Sequence, residues 1–183
     1  MIFGYARLVS PWIRTVSRTT LAAVTPELLY QGIESRLAAM AARYCPDDEE
    51  SPQQVLARLK IERIEPDNKE PFGAWQLHYA SSGRPVRVER MVGKGWEIDR
   101  RALFDEVGKG DDEVGKRLRA LLTDAKESVG FELSPSDLRG MGLPVCIAAA
   151  AALAKAGDGL LRVEGDGWLE PKGKDVEPVM SFR

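Results

Sequence analysis

The chain reads as an α+β protein: a single compact domain in which several helices pack on a small, mostly antiparallel sheet. Three observations predict this. Stretches with an apolar residue every third or fourth position are interspersed with short stretches of strict apolar/polar alternation. Tight-turn residues, Ser81-Ser82-Gly83-Arg84 and Gly165-Asp166-Gly167, join alternating segments as hairpins, with no strand–helix–strand rhythm. Finally, 183 residues with 44% apolar and 30% charged side chains suffice for one core without disulfide or metal.

The first 26 residues hold no Asp or Glu. Ile2, Tyr5, Val9, Trp12, Ile13 and Val16 recur at helical spacing, with Arg7, Ser10, Arg14, Ser17 and Arg18 opposite. Pro11 breaks a continuous helix, so Ser10-Pro11 is read as an N-cap and first helical turn. The expectation is an amphipathic segment, residues 1–24, docked on a domain spanning 25–183. Arg7, Pro11 and Arg14 interrupt the apolar stretch that a secretory signal needs.

Thr25-Pro26-Glu27 opens a helix with Leu28, Leu29, Ile33, Leu37 and Met40 or Ala41 on one face, ending near Tyr44. Ser51-Pro52-Gln53-Gln54 has capping-box spacing and starts a short helix, followed by a strand over 59–64. Trp75, Leu77 and Tyr79 alternate with Gln76, His78 and Ala80, then face Val86, Val88 and Arg90 across the first turn. A helix is expected over 97–107 with Ile98, Ala102, Leu103 and Val107 inward. The next opens on Asp111-Asp112-Glu113, at the positive end of its dipole. It runs to Val129 on a stripe of Val114, Leu118, Leu121, Leu122 and Ala125.

Phe131 to Leu133 is a short strand and Ser134 to Asp137 a brief helical turn. The stretch 144–156 carries six alanines between Ala148 and Ala154 and is apolar nearly all round, which predicts the central buried helix, capped by Gly157. Leu160, Leu161 and Val163 pair with Trp168 and Leu169 in the second hairpin, and residues 176–182 add a last strand.

Charge and composition exclude several functions. Lys and Arg number 26 against 28 Asp and Glu, net −2, whereas nucleic-acid binders are normally basic. Arg84, Arg87, Arg90, Lys94, Arg100 and Arg101 form the one basic concentration, but Glu89, Glu97 and Asp99 interleave with them, so no nucleic-acid partner is expected. Cys45 and Cys146, 101 positions apart, form no CxxC, which suits a reducing, cytoplasmic setting. The single histidine, His78, rules out two-histidine metal motifs and is the one candidate for a catalytic triad. Gly110 to Lys116 has GxxxxGK spacing, yet Arg117 stands where Ser or Thr must hold magnesium, and three acids fill the loop. Asp111-Asp112-Glu113 and Glu164/Asp166/Glu170 offer paired carboxylates for acid–base work or a divalent cation, although turns and caps explain them more simply. No cofactor or metal is expected, and the balance leans away from an enzyme.

The stretch from Leu143 to Pro171, LPVCIAAAAALAKAGDG followed by LLRVEGDGWLEP, resembles the C-terminal part of small immunity proteins of bacterial polymorphic toxin systems. These end in an Ala-rich helix followed by a Gly-Asp/Trp hairpin. The resemblance covers about 30 of the 183 residues. It implies a cytoplasmic protein that binds and blocks a cognate toxin and catalyses nothing. The residues are compatible with that role. Asp47-Asp48-Glu49-Glu50 places four negative charges where they can steer a basic toxin domain, and Asp166 with Trp168 offers a hairpin tip with an aromatic anchor. These six are the candidate partner-binding residues. Two alternatives remain open: a small carboxylate-dependent hydrolase or transferase, and a membrane-apposed adaptor using residues 2–18, although membrane contact is the less favoured role of that segment.

Overall fold

The computed structural model describes residues 13–66, 73–80, 83–109 and 111–181. Among them the chain forms, in order, β1 (Ile13–Ser17), α1 (Pro26–Glu34), α2 (Leu37–Tyr44), α3 (Pro52–Arg58), β2 (Lys60–Ile64), β3 (Ala74–His78), β4 (Val86–Met91), α4 (Gly93–Val107), α5 (Glu113–Asp124), β5 (Glu127–Glu132), α6 (Gly142–Ala156), β6 (Leu160–Val163), β7 (Gly167–Lys172) and β8 (Asp175–Met180). The α+β expectation holds, with a larger sheet than foreseen. Eight strands join in the order β2-β3-β4-β5-β1-β6-β7-β8, every neighbour antiparallel.

Residues 13–17 are a strand at the middle of this sheet, not the continuation of a helix from Pro11. Ile13 pairs with Phe131 of β5 on one side and Val163 of β6 on the other. All five β1 residues are buried, including Arg14, Thr15 and Ser17, because each polar side chain finds a distant partner. Thr15 Oγ1 donates to the Ala150 carbonyl at 3.0 Å and Ser17 Oγ to that of Gly157 at 3.0 Å. Buried in this way, Ile13 to Ser17 have no face to offer a membrane; the rest of the amphipathic segment, residues 1–12, lies outside the described residues.

Helix α6 crosses one face of the sheet over β1, β6 and β7, and α1 and α2 pack on it. It is buried almost throughout, as its composition predicts, and Gly157 caps it. Small residues let the helices approach closely: a methyl at Gly32 of α1 would lie 2.5 Å from the Ala152 Cβ of α6. The opposite face is covered by α4 and α5, whose Trp96, Leu103, Leu118, Leu121 and Leu122 close over Val16, Leu160 and Trp168.

Several local expectations change in this context. The helix expected over 25–44 breaks at Ser35-Arg36, where Ser35 Oγ and Arg36 Nη1 both donate to the Gly32 carbonyl, at 2.9 and 3.0 Å. The Arg36 cation thereby suits the negative end of α1. Leu28 turns outward, 56% exposed, while Leu29, Ile33, Leu37, Met40 and Ala41 are buried. Helix α4 buries Trp96, Asp99 and Leu103 in place of Ile98 and Ala102, since the Trp96 indole donates to the Ala125 carbonyl at 3.0 Å and Asp99 meets Arg14. Helix α5 stops at Asp124 rather than at Val129, which lies inside β5. Residues 134–137 are a turn without helix, held by Asp137. The capping box at Ser51 and Gln54 forms as expected.

Candidate functional site

The C-terminal end of α2 leads into one acidic feature, residues 47–50, and through Tyr44 touches the other, at Asp166. Tyr44 and Cys45 close the helix, and Pro46 to Glu50 carry the chain to the Ser51 cap of α3. Asp48 turns inward: its Oδ1 accepts the Glu50 N–H at 2.8 Å and its Oδ2 the Cys45 thiol at 3.4 Å. A methyl at Gly140 would lie 2.7 Å from the same Oδ2, so the loop before α6 packs against this block. Glu50 accepts a bidentate pair from Arg58, with Oε2 to Nη2 at 2.6 Å, and Arg58 is itself anchored on the Tyr79 carbonyl. Asp48 and Glu50 are therefore scaffold, whereas Asp47 and Glu49 face solvent.

The β6–β7 turn, Glu164 to Asp166, supplies the second wall. It is tight because Gly165 and Gly167 adopt φ of 87° and 98°, as the Gly-Asp-Gly pattern predicts. Asp166 Oδ2 accepts the Tyr44 hydroxyl at 2.6 Å, which ties positions 122 residues apart. Burial, and then this bond, hold the Tyr44 phenol well above its ordinary pKa. The loop over 133–141 supplies the third wall. Buried Asp137 organises it, accepting the Ser134 N–H at 2.7 Å, the Ser134 hydroxyl at 2.6 Å and the Tyr79 hydroxyl at 2.6 Å.

Between these walls lies a cleft of about 310 Å³ lined by Tyr44, Leu138, Leu143, Val163, Glu164 and Asp166. Three of the six are apolar and two are carboxylates. Asp166 and the 47–50 block were legible as acidic features, whereas nothing in residue spacing marked Tyr44, Leu138 or Leu143 as neighbours of Asp166. One expectation is corrected. Trp168 is fully buried, on the α4/α5 side of the sheet opposite Arg162, and cannot anchor a partner.

Glu164 also belongs to a second array, on the α4/α5 face. Arg162 donates to Glu164 Oε2 at 2.6 Å and to both oxygens of Glu106 at 3.0 Å. Its cross-strand neighbour Arg14 meets Asp99 at 2.7 Å, and Asp99 accepts the Ser128 hydroxyl at 2.6 Å. Burial raises the pKa of Asp99 and lowers that of Arg14, in each case against the pull of the other.

The remaining candidates resolve into structure. Asp112 caps α5, accepting the Gly115 N–H at 2.8 Å, a bond that holds its carboxyl below the usual range. Glu170 pairs with Arg117 of α5 at 2.6 Å. His78 Nε2 lies 3.5 Å from Glu62 on the edge-strand side of the sheet. Within the basic concentration, Arg90 is tied to Glu127 at 2.6 Å and Arg87 to Glu89. Among the described residues no three His, Cys, Asp or Glu side chains are grouped to hold a metal, and no helix is long and apolar enough to cross a membrane. Comparison with family models, curated proteins and solved structures finds no match to this chain.

Proposed function

We propose that the protein is a non-enzymatic binding module that docks a basic protein partner on the acidic end of α2, as an immunity protein blocks a toxin. The observation that carries this reading is the apolar-walled cleft with Glu164 and Asp166 on it and exposed Asp47 and Glu49 a few residues beyond Tyr44. Exposed like charges beside an apolar contact surface speed encounter with a partner of opposite sign and then hold it. The segment that resembles immunity proteins, 143–171, contributes Leu143, Val163, Glu164 and Asp166 to the cleft.

The test is capture by the tagged full chain from lysate of its own source, at low salt and at about 0.5 M, where charges on the surface are screened beyond a few ångströms. One basic protein, near-stoichiometric at low salt and released by high salt, is expected. The charge reversal Asp47→Lys/Glu49→Lys should abolish its capture and slow its association. Capture of the same proteins by parent and variant overturns the reading.

A further inference from the structure

We propose that the outer edge of β2 pairs antiparallel with β2 of a second copy of the chain, about a two-fold axis through Ile61, and joins two sheets into one. This goes beyond the binding-module reading and uses a different surface. The sheet ends on β2 and on β8. Strand β8 is closed to a further strand: Pro178 has no N–H to give, and the ladder behind it shifts register at Trp168/Leu169. Strand β2 carries neither device. Lys60 to Ile64 pair with His78 to Ala74 of β3 in unbroken register, without Pro or Gly. Among the described residues no strand lies on its other side. Ile61 sits opposite fully buried Leu77 and packs on the main core, yet is itself only half-buried.

What guards this edge is charge, on Lys60, Glu62 and Arg63. Edge charges ordinarily turn other strands away; here their order decides which strand is accepted. A two-fold axis perpendicular to the sheet sets one residue opposite itself and pairs its neighbours crosswise. Centred on Lys60, Glu62 or Arg63, the pairing puts like charges face to face. Centred on Ile64, it runs Glu62 against Pro66, beyond the strand. Centred on Ile61, it sets Ile61 against itself and Arg63 against uncharged Leu59. Lys60 then lies opposite the second copy's Glu62, on both sides of the axis. Within the strand Lys60 Nζ already reaches Glu62 Oε1 at 2.5 Å, so the four charges alternate in sign around the axis. Five paired residues bury less than the roughly 1,200 Å² of a lasting interface, so the dimer dissociates in the micromolar range.

The experiment is sedimentation velocity of the full chain from about 1 to 500 µM, with ¹⁵N spectra at both ends of the range. The mass should rise towards the dimer, and the amides of Lys60 to Ile64 should shift with concentration while those of Asp175 to Met180 do not. Lys60→Glu and Glu62→Lys, both at exposed side chains, should fold as the parent does. Each sets like charges opposite at both symmetric sites and should weaken association about tenfold or more. Mixed in equal amounts, the two variants restore both opposite-charge pairs and should associate as the parent does. A parent that stays monomeric, concentration-dependent shifts confined to other strands, single variants that associate like the parent, or a mixture that stays monomeric overturns the inference.

Discussion

Removing the Asp99 carboxylate should destabilise the protein more than removing Arg14, and the reason is which of the two ions can discharge. The pair is 2.7 Å apart with side chains 8% and 4% exposed. Burial is the largest cause acting on each, raising the pKa of Asp99 and lowering that of Arg14, so withdrawal from water outweighs their attraction. Asp99→Ala leaves a guanidinium that cannot lose its proton, buried opposite Arg162 on the neighbouring strand. It also takes the acceptor from the Ser128 hydroxyl, 2.6 Å away in the parent. Breaking such a buried pair costs about 3–5 kcal/mol, and an orphaned hydroxyl about 1 more. Arg14→Met leaves a carboxylate, which escapes by taking up a proton at about 1.4 kcal/mol for each pH unit between solution and its pKa. Without Arg14 the pKa of Asp99 in the folded state rises further above its unfolded value, so the folded state binds the proton first. The deficit of Arg14→Met against the parent therefore shrinks as pH falls from neutral towards the unfolded value of 3.8, while that of Asp99→Ala does not. The double variant Arg14→Met/Asp99→Leu strands no charge and should match the parent within about 1 kcal/mol or exceed it. Urea unfolding followed by tryptophan fluorescence at about pH 7 and pH 5 measures all three. Equal single deficits, independent of pH, with a double that sums them, would refute the reasoning.

Two further predictions concern packing and the tyrosines. Gly32→Ala should lower the melting temperature by a few degrees in calorimetry: the helix gains about 1 kcal/mol of propensity, but a methyl 2.5 Å from the Ala152 Cβ forces overpacking worth about 1–3 kcal/mol. A raised melting temperature would mean that α1 moves aside freely. In an alkaline absorbance titration, Tyr44 and Tyr79, two of the four tyrosines, should ionise late, because burial and their Asp partners lift both above the ordinary 10.0. With the folded pKa raised, their contribution to stability is full below about pH 10 and is lost as pH rises through the raised values. Tyr44→Phe/Tyr79→Phe should lack the late phase, and all four ionising together in the parent contradicts the burial of these phenols.

What was legible in the sequence is what neighbours along the chain decide. The run of alanines between 148 and 154 has no polar face, so α6 had to be buried. The Ser51/Gln54 spacing closes a capping box, and Gly-Asp-Gly makes a tight turn, without help from elsewhere. The misread segments owe their conformation to distant partners. Arg14, Thr15 and Ser17 look like the polar side of a helix until Asp99, Ala150 and Gly157 are placed against them. Glu127 and Ser128 read as a polar continuation of α5, yet in β5 they are buried on Arg90 and Asp99. Trp168 sits beside an exposed turn, and only the pairing of β7 with β6 reveals that it points into the α4/α5 core. The cleft was half visible for the same reason: its acids announce themselves, while Tyr44, Leu138 and Leu143 gather round Asp166 through tertiary packing.

The place of β1 in the sheet bears on how the molecule is made. Strands β2 to β5 occupy neighbouring positions in chain order, as do β6 to β8, and β1 joins the two groups. It leaves the ribosome before every other described strand, yet its second partner begins at Leu160, about 140 residues later. At about 5–20 residues per second that is a wait on the order of 10 s. Until then the side of β1 that pairs with β6 has no partner, so once β1 has joined β5 the nascent sheet ends on β1 as an open edge. A factor that covers this edge of β1 until Leu160 has been added would keep the growing chain from pairing with a neighbour.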